Sequence, residues 1–203
     1  MKLYYKSGAC SLASHIILKE IGKNFEIESV DTDKQLTESG ADYSKINPKG
    51  YVPALRTDEG QILTEGAAVL QYLADQNPDA RLAPEYGTLE RARLQEHLNF
   101  TSTELHKAFG PFFSSNSSDE EKQFARKNVE RKLDHFESAL SDGRKYILGN
   151  KFSVADAYFF VVSGWAKPTG IGLNKWPNIS AFNKRISERE MVQDAMRAEG
   201  LLS

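Results

Sequence analysis

The chain's one cysteine, Cys10, stands in the loop Ser7-Gly8-Ala9 just ahead of an apolar-periodic segment that opens near Ser11. A thiol placed there faces the unpaired amides of a helix N-terminus, whose partial positive charge favours thiolate, the nucleophilic form. One cysteine in 203 residues makes no internal disulfide and fits a reducing compartment. Cys10 is therefore either a small buried hydrophobe or a chemical group. The loop after a first strand is where an α/β fold holds ligands, which favours chemistry.

Three further constellations accompany it. Val52-Pro53 opens a segment that reads as a strand inside the sheet, where proline is normally excluded because it donates no ladder hydrogen bond. Either the peptide bond is cis, leaving the Val52 N–H and C=O to pair with an extended ligand, or this is an edge-strand proline in trans. Glu65-Gly66 joins a strand to a helix. The Gly66 amide and the helix N-terminus suit a ligand carboxylate and Glu65 suits an ammonium, a pairing that matches an amino-acid head group. Glu65 serves equally as a helix cap. Asn99, Thr103 and His106, spaced by four and three, form a polar stripe that either faces a cleft or is solvated. His106 is its useful member, able to donate to a thiolate or move a proton near neutral pH.

The elements that must position these residues follow from periodicity. Leu3-Tyr4-Tyr5 reads as a strand, Leu12, Ile16 and Ile21 as a helix stopped by Gly22, and Phe25 to Val30 as a second strand. Asn47-Pro48-Lys49-Gly50 is turn chemistry, and Val52 to Leu55 with Gln61 to Thr64 reads as a hairpin. A helix follows from Gly66 to Ala74, giving the order βαβ then ββα. Pro78 to Gly87, with two prolines and a glycine, reads as a linker. The expected domains are residues 1–78, a linker 79–87 and an all-helical domain 88–203. In the last, Leu94, Leu98, Thr101, Leu105 and Phe109 define the core face of one long helix. Val129, Leu133, Phe136 and Leu140 define a second, ending near Asp142-Gly143. Ser153-Val154-Ala155-Asp156 has capping-box spacing at the start of a third, and Trp176-Pro177 opens another, with Phe182 and Ile186 at helical spacing.

Composition narrows the function. A net charge of -2 and a pI near 6.1 supply no positive field for nucleic acid. A mean hydropathy of -0.51, with no long apolar run, predicts no membrane span. Met1 to Lys6 lacks the apolar core of a secretory signal, so a cytoplasmic location is expected. The four histidines are too scattered to predict a metal site.

With these residues assembled, the whole chain resembles the cytosolic glutathione S-transferases, most closely the bacterial beta class. The resemblance is carried by Met1-Lys2-Leu3-Tyr4-Tyr5, Gly8-Ala9-Cys10-Ser11-Leu12, Asn47-Pro48-Lys49-Gly50, Val52-Pro53-Ala54-Leu55, Leu63-Thr64-Glu65-Gly66 and Gln71-Tyr72-Leu73-Ala74-Asp75. Later in the chain it continues through Glu104-Leu105-His106-Lys107, Ser153-Val154-Ala155-Asp156-Ala157-Tyr158 and Ala198-Glu199-Gly200-Leu201. It implies a thioredoxin-like N-terminal domain, an all-helical C-terminal domain, a homodimer and cis geometry at Pro53. It further implies that Cys10 faces the glutathione sulfur, that the Val52 backbone beside Pro53 pairs with the cysteinyl part, and that Glu65 with Gly66 holds the γ-glutamyl head. Asn99, Thr103, Glu104 and His106 complete the implied site, some of them reaching the partner subunit's glutathione. Gln35 is the departure: relatives often carry Lys near the glycyl carboxylate, where this chain has Lys34-Gln35.

The implied chemistry is presentation of glutathione as thiolate, stabilised by helix amides and His106, to a small apolar electrophile held in a pocket between the domains. Phe109, Phe112, Phe113 and Trp165 either line that pocket or pack the core. Cys10 adds glutathione-dependent disulfide exchange through a mixed disulfide. A Ser11 or Tyr5 hydroxyl is the rival holder of the sulfur. The rival function is a non-catalytic ligand- or partner-binding protein on the same scaffold, since a fold does not fix a function.

Overall fold

A computed structural model describes residues 1–202. They form two compact units, Met1–Ala83 with residues 188–202, and Pro84–Ser187.

The first unit is built on β1 (Lys2–Tyr5), α1 (Ser11–Ile21), β2 (Glu26–Asp31), β3 (Leu36–Thr37), β4 (Ala54–Arg56), β5 (Ile62–Thr64) and α2 (Gly66–Asp75). The sheet order is β3-β2-β1-β4-β5, with β1 and β2 parallel and every other pair antiparallel. This is the thioredoxin-like arrangement expected. Leu3, Leu55, Ile16, Ile17, Leu70 and Leu73 are fully buried between sheet and helices. Gly22 closes α1 at φ 75°, its amide donating to the Leu18 and Lys19 carbonyls, a conformation that costs glycine least. The short β3 lies in the polar stretch where sequence periodicity shows no strand. It adds an edge to β2 through Val30–Thr37 and Asp31–Leu36.

A last helix, α8 (Glu190–Ala198), groups with this unit although it follows the helical region in sequence. It lays Val192 and Ala195 against α1. Arg189 fixes its start by a two-pronged ion pair to Glu20, 2.8 and 2.9 Å. The compact division therefore differs from an all-helical domain running to residue 203.

The second unit contains α3 (Leu89–Asn99), a π-helical turn (Phe100–His106), α4 (Gly110–Phe113), α5 (Asp119–Ala139), α6 (Val154–Gly164) and α7 (Pro177–Ser187). The single long helix expected up to Phe109 is thus divided into α3 and the π-helical turn, and α4 begins only after it. Its core face nevertheless holds: Leu94, Leu98, Thr101, Leu105 and Phe109 are all buried. Phe136 of α5 stacks on Phe159 of α6 at 3.9 Å, and α6 is buried along nearly its whole length. Its capping box is formed as the spacing predicts. The Asp156 carboxylate accepts from the Ser153 amide and hydroxyl, 2.8 and 2.7 Å, and from the Ile147 amide, 2.7 Å. No helix among the described residues is long and apolar enough to cross a membrane.

Candidate active site

In the first unit, the segment carrying Val52 is held from beneath. Tyr43, fully buried among Tyr4, Val30 and Ala54, donates its hydroxyl to the Tyr51 carbonyl at 2.8 Å. The Asn47 side-chain amide donates to the same oxygen at 2.7 Å. Asn47 also closes the turn that follows it, its carbonyl taking the Gly50 amide and its Oδ1 the Lys49 amide. The Val52–Pro53 peptide is cis.

The Cys10 sulfur meets this segment. It donates to the Val52 carbonyl at 3.3 Å, a contact for which the sulfur carries its proton. The expectation that Sγ points at the α1 amides is corrected here: Cys10 makes no side-chain cap. The reason is local. The chain already turns helically before Ser11, so the Ala9 carbonyl takes the Leu12 amide and the Cys10 carbonyl the Ala13 amide. The Ser11 hydroxyl, offered as a rival, is buried and committed to the Lys6 amide and carbonyl, both at 3.2 Å. Tyr5 is buried in the sheet, and burial first, then the Glu199 charge, raises its phenol above the usual range.

The loop before Cys10 is anchored by the chain's end. The Glu199 carboxylate takes the Gly8 amide at 3.0 Å on one oxygen and meets His15 Nδ1 at 2.9 Å on the other. Its carbonyl accepts from the Ser7 hydroxyl at 2.6 Å. Both the His15 and Glu199 side chains are 0% exposed. The resemblance includes Glu199 in a motif, yet no spacing rule links it to a loop 191 residues away.

Glu65 sits at the entry to α2 with φ 69°, a left-handed conformation that is uncommon for a side-chain-bearing residue and concentrates at functional sites. Its side chain does not cap the helix. Instead Glu65 Oε1 pairs with Lys49 Nζ at 2.6 Å, and Lys49 also donates to Thr64 Oγ1 at 3.1 Å. The Glu65 carbonyl accepts from Ala68 and Val69, so Gly66 heads the helix. The strain, the side chain's outward course and the helix end together leave a carboxylate beside a cluster of N–H donors.

Gln35, also left-handed at φ 55°, spends its side-chain amide on the Thr32 and Gly50 carbonyls, 2.6 and 3.1 Å. It acts as a brace between two loops. Lys34 is exposed and paired with Asp31 at 3.0 Å.

In the second unit, Asn99 and Thr103 are exposed, and the Thr103 hydroxyl bonds back to the Asn99 carbonyl at 3.0 Å. Glu104 pairs with Lys132, whose ammonium lies over the Phe100 ring. His106 is half-buried, Nδ1 3.0 Å from the Tyr158 hydroxyl and its ring 4.8 Å from Trp165 in an edge-to-face pair. Burial, and then the Lys107 charge, lower its pKa to about 4. His106 is therefore neutral at pH 7, which corrects the expectation of a proton shuttle near neutrality. Its remaining chemistry is that of a neutral donor, with Tyr158 fixing the ring. Phe109 is core, whereas Phe113 is 59% exposed beside Trp165, 5.3 Å between ring centres. Among the described residues no group of three His, Cys, Asp or Glu side chains is arranged to hold a metal.

Two family models match the chain: glutathione S-transferase N-terminal domain over residues 8–76 and glutathione S-transferase C-terminal domain over residues 100–190. Glutathione S-transferase GstA of Escherichia coli O157:H7 is 48% identical over 201 residues, covering 99% of this chain and 100% of that one. The chain belongs to the glutathione S-transferase family. Among solved structures, this transferase is similar to a bacterial beta class glutathione S-transferase of Sphingomonas chungbukensis, 47% identical at TM-score 0.96, covering 100% of both chains. It is equally similar to a sphingomonad glutathione S-transferase complexed with glutathione, 46% identical at TM-score 0.95, covering 99% of this chain and 100% of that one. The fold and the bacterial beta-class kinship of the transferase both agree with the motif order in its sequence.

Proposed function

We propose that this transferase binds glutathione and presents its sulfur as thiolate to a small apolar electrophile. The observation that carries the reading is Glu65: a strained, outward carboxylate at a helix N-terminus, in the unit where Cys10 meets Val52. An ammonium on Glu65 and a carboxylate at the Gly66 amide would hold the γ-glutamyl head, because each end of an amino acid meets its complementary charge. The Val52 backbone beside Pro53 would pair with the cysteinyl part. Asn99, Thr103, Glu104 and His106 are assigned to glutathione, of this subunit or the partner's in a homodimer, by family likeness. Gln35 is assigned there too, through its loop rather than a charge. Conjugation forms a bond from the glutathione sulfur to carbon, and the electron pair of the broken bond departs with the leaving group.

Cys10 supports a second activity at the same place. Its thiolate attacks one sulfur of oxidised glutathione, forming a mixed disulfide and releasing one glutathione thiolate; a second thiol then resolves it. A reducing compartment, the cytoplasm, suits a lone working thiol.

Intact mass after incubation with oxidised glutathione, for the parent and Cys10→Ser, run beside conjugation of an activated aryl halide, tests both. The expected result is a glutathione adduct on the parent, absent from the variant, with conjugation in the parent. Conjugation retained by Cys10→Ser would assign that step to other groups. A parent with neither adduct nor conjugation would overturn the reading in favour of a binding scaffold.

A further inference from the structure

The pairing of Glu65 with Lys49 raises a question of charge. If Glu65 takes the ammonium of a γ-glutamyl head, the lysine ammonium 2.6 Å from the same carboxylate must yield. Both side chains are exposed, 53% and 67%, and an exposed pair of this kind contributes little, so its displacement costs little. Lys49 is not driven far. It is anchored on the turn that Asn47 closes, and its ammonium is already tethered to Thr64 Oγ1 at 3.1 Å. The α-carboxylate of an amino acid is bonded to the carbon that bears its ammonium. A head group whose ammonium replaces Lys49 on Glu65 therefore carries an anion into the space beside Lys49.

We infer that Lys49 is a substrate-binding residue: it exchanges Glu65 for the α-carboxylate of the γ-glutamyl head, closing an alternating ring of lysine, carboxylate, ammonium and Glu65. The inference rests on the functional reading above and extends it to a residue outside the implied site. Gln35 is occupied with two backbone carbonyls and Lys34 with Asp31, so neither brings a cation to Glu65. Lys49 does. An exchange of this kind selects a zwitterionic head over a simple amine, because a ligand ammonium without an adjacent carboxylate displaces Lys49 and gives it nothing in return.

The test is steady-state conjugation of an activated aryl halide with glutathione as the varied substrate, using the parent and Lys49→Gln, repeated with 4-aminobutyryl-cysteinylglycine, which lacks only the α-carboxylate. Lys49→Gln is expected to raise KM for glutathione about fivefold, the size of one partly exposed charged contact, and to leave KM for the analogue unchanged or slightly lower, since its ammonium no longer displaces a lysine. An unchanged or lowered KM for glutathione, meaning that Lys49 merely competes with the ammonium, overturns the inference. An equal rise for both peptides overturns it too. A parent that turns over no glutathione overturns instead the functional reading on which the inference stands.

Discussion

Glu199→Ala removes the carboxylate that ties the end of the chain to the loop before Cys10. One half-buried and one buried contact go with it, the Gly8 amide at 3.0 Å and His15 Nδ1 at 2.9 Å. His15 Nε2 already has no hydrogen-bond partner, so the variant leaves the whole imidazole unpaired in a site with no exposure. Stranding the buried His15 costs about 2 kcal/mol and losing the half-buried Gly8 contact about 1 kcal/mol, so the two together come to about 3 kcal/mol. For a chain of this size that lowers the melting temperature by about 10 °C. The loop is also freed locally, since the Ser7 hydroxyl keeps only the Glu199 backbone carbonyl. Cys10 should then react about tenfold faster with an aromatic disulfide reagent, because openings of Ser7 to Cys10 become more frequent. Glu199→Gln retains shape and one acceptor, and should lose about half as much stability. Thermal melting and pseudo-first-order thiol kinetics on the three proteins check this. A loss under about 3 °C in Glu199→Ala, or unchanged Cys10 kinetics, would refute the claim that the chain's end holds the loop.

Asp156→Asn turns an acceptor toward the Ser153 amide into a donor, and should cost about 2 kcal/mol, or about 6 °C in melting temperature. Burial pushes the Asp156 carboxyl up to about 6, above its ordinary value of 3.8, so its contribution to stability is fully present below about pH 4 and is lost as pH rises through 6; chemical denaturation across that window should show this slope in the parent and not in the variant. His106, lowered to about 4 by burial, stays neutral down to about pH 5. An NMR titration of its ring should therefore show no midpoint between pH 5.5 and 7.5, and a midpoint near 6.5 would contradict the neutral-donor role.

What could be read from the sequence was whatever a short window encodes. The order βαβ then ββα follows from local apolar runs and from Gly22, and the helical core face from Leu94 to Phe109 survives even where the helix does not. The break into a π-helical turn at Phe100–His106 was not legible. An extra residue per turn is compatible with the same buried positions, since Thr101, Leu105 and Phe109 stay inside whether the turn is wide or regular. The β3 strand was missed because two residues in a polar loop carry no periodicity; its pairing with Val30 and Asp31 is a tertiary fact. The helix Glu190–Ala198 belongs with α1 because of Val192, Ala195 and the Arg189–Glu20 pair, none of which has a sequence signature.

The candidate site divides along the same line. Cys10, Val52-Pro53, Glu65-Gly66 and His106 could be nominated from residue type and place, but their orientation depends on buried partners far along the chain. Tyr43 and Asn47 hold the Tyr51 carbonyl, Glu199 holds Gly8, and Tyr158 holds His106 across 52 residues. These supports are buried or committed on more than one side, so changing one disturbs packing as well as chemistry. The charged rim is different. Lys34, Lys49 and Glu65 are exposed, and their pairings contribute little to stability. A fold whose supports are fixed can therefore vary its rim at small cost, and Gln35, a neutral side chain braced on the Thr32 and Gly50 carbonyls, is the kind of residue such a division of labour permits. It follows that affinity for the peptide's charged ends should respond to rim substitutions with the melting temperature nearly constant, whereas support substitutions should move both together.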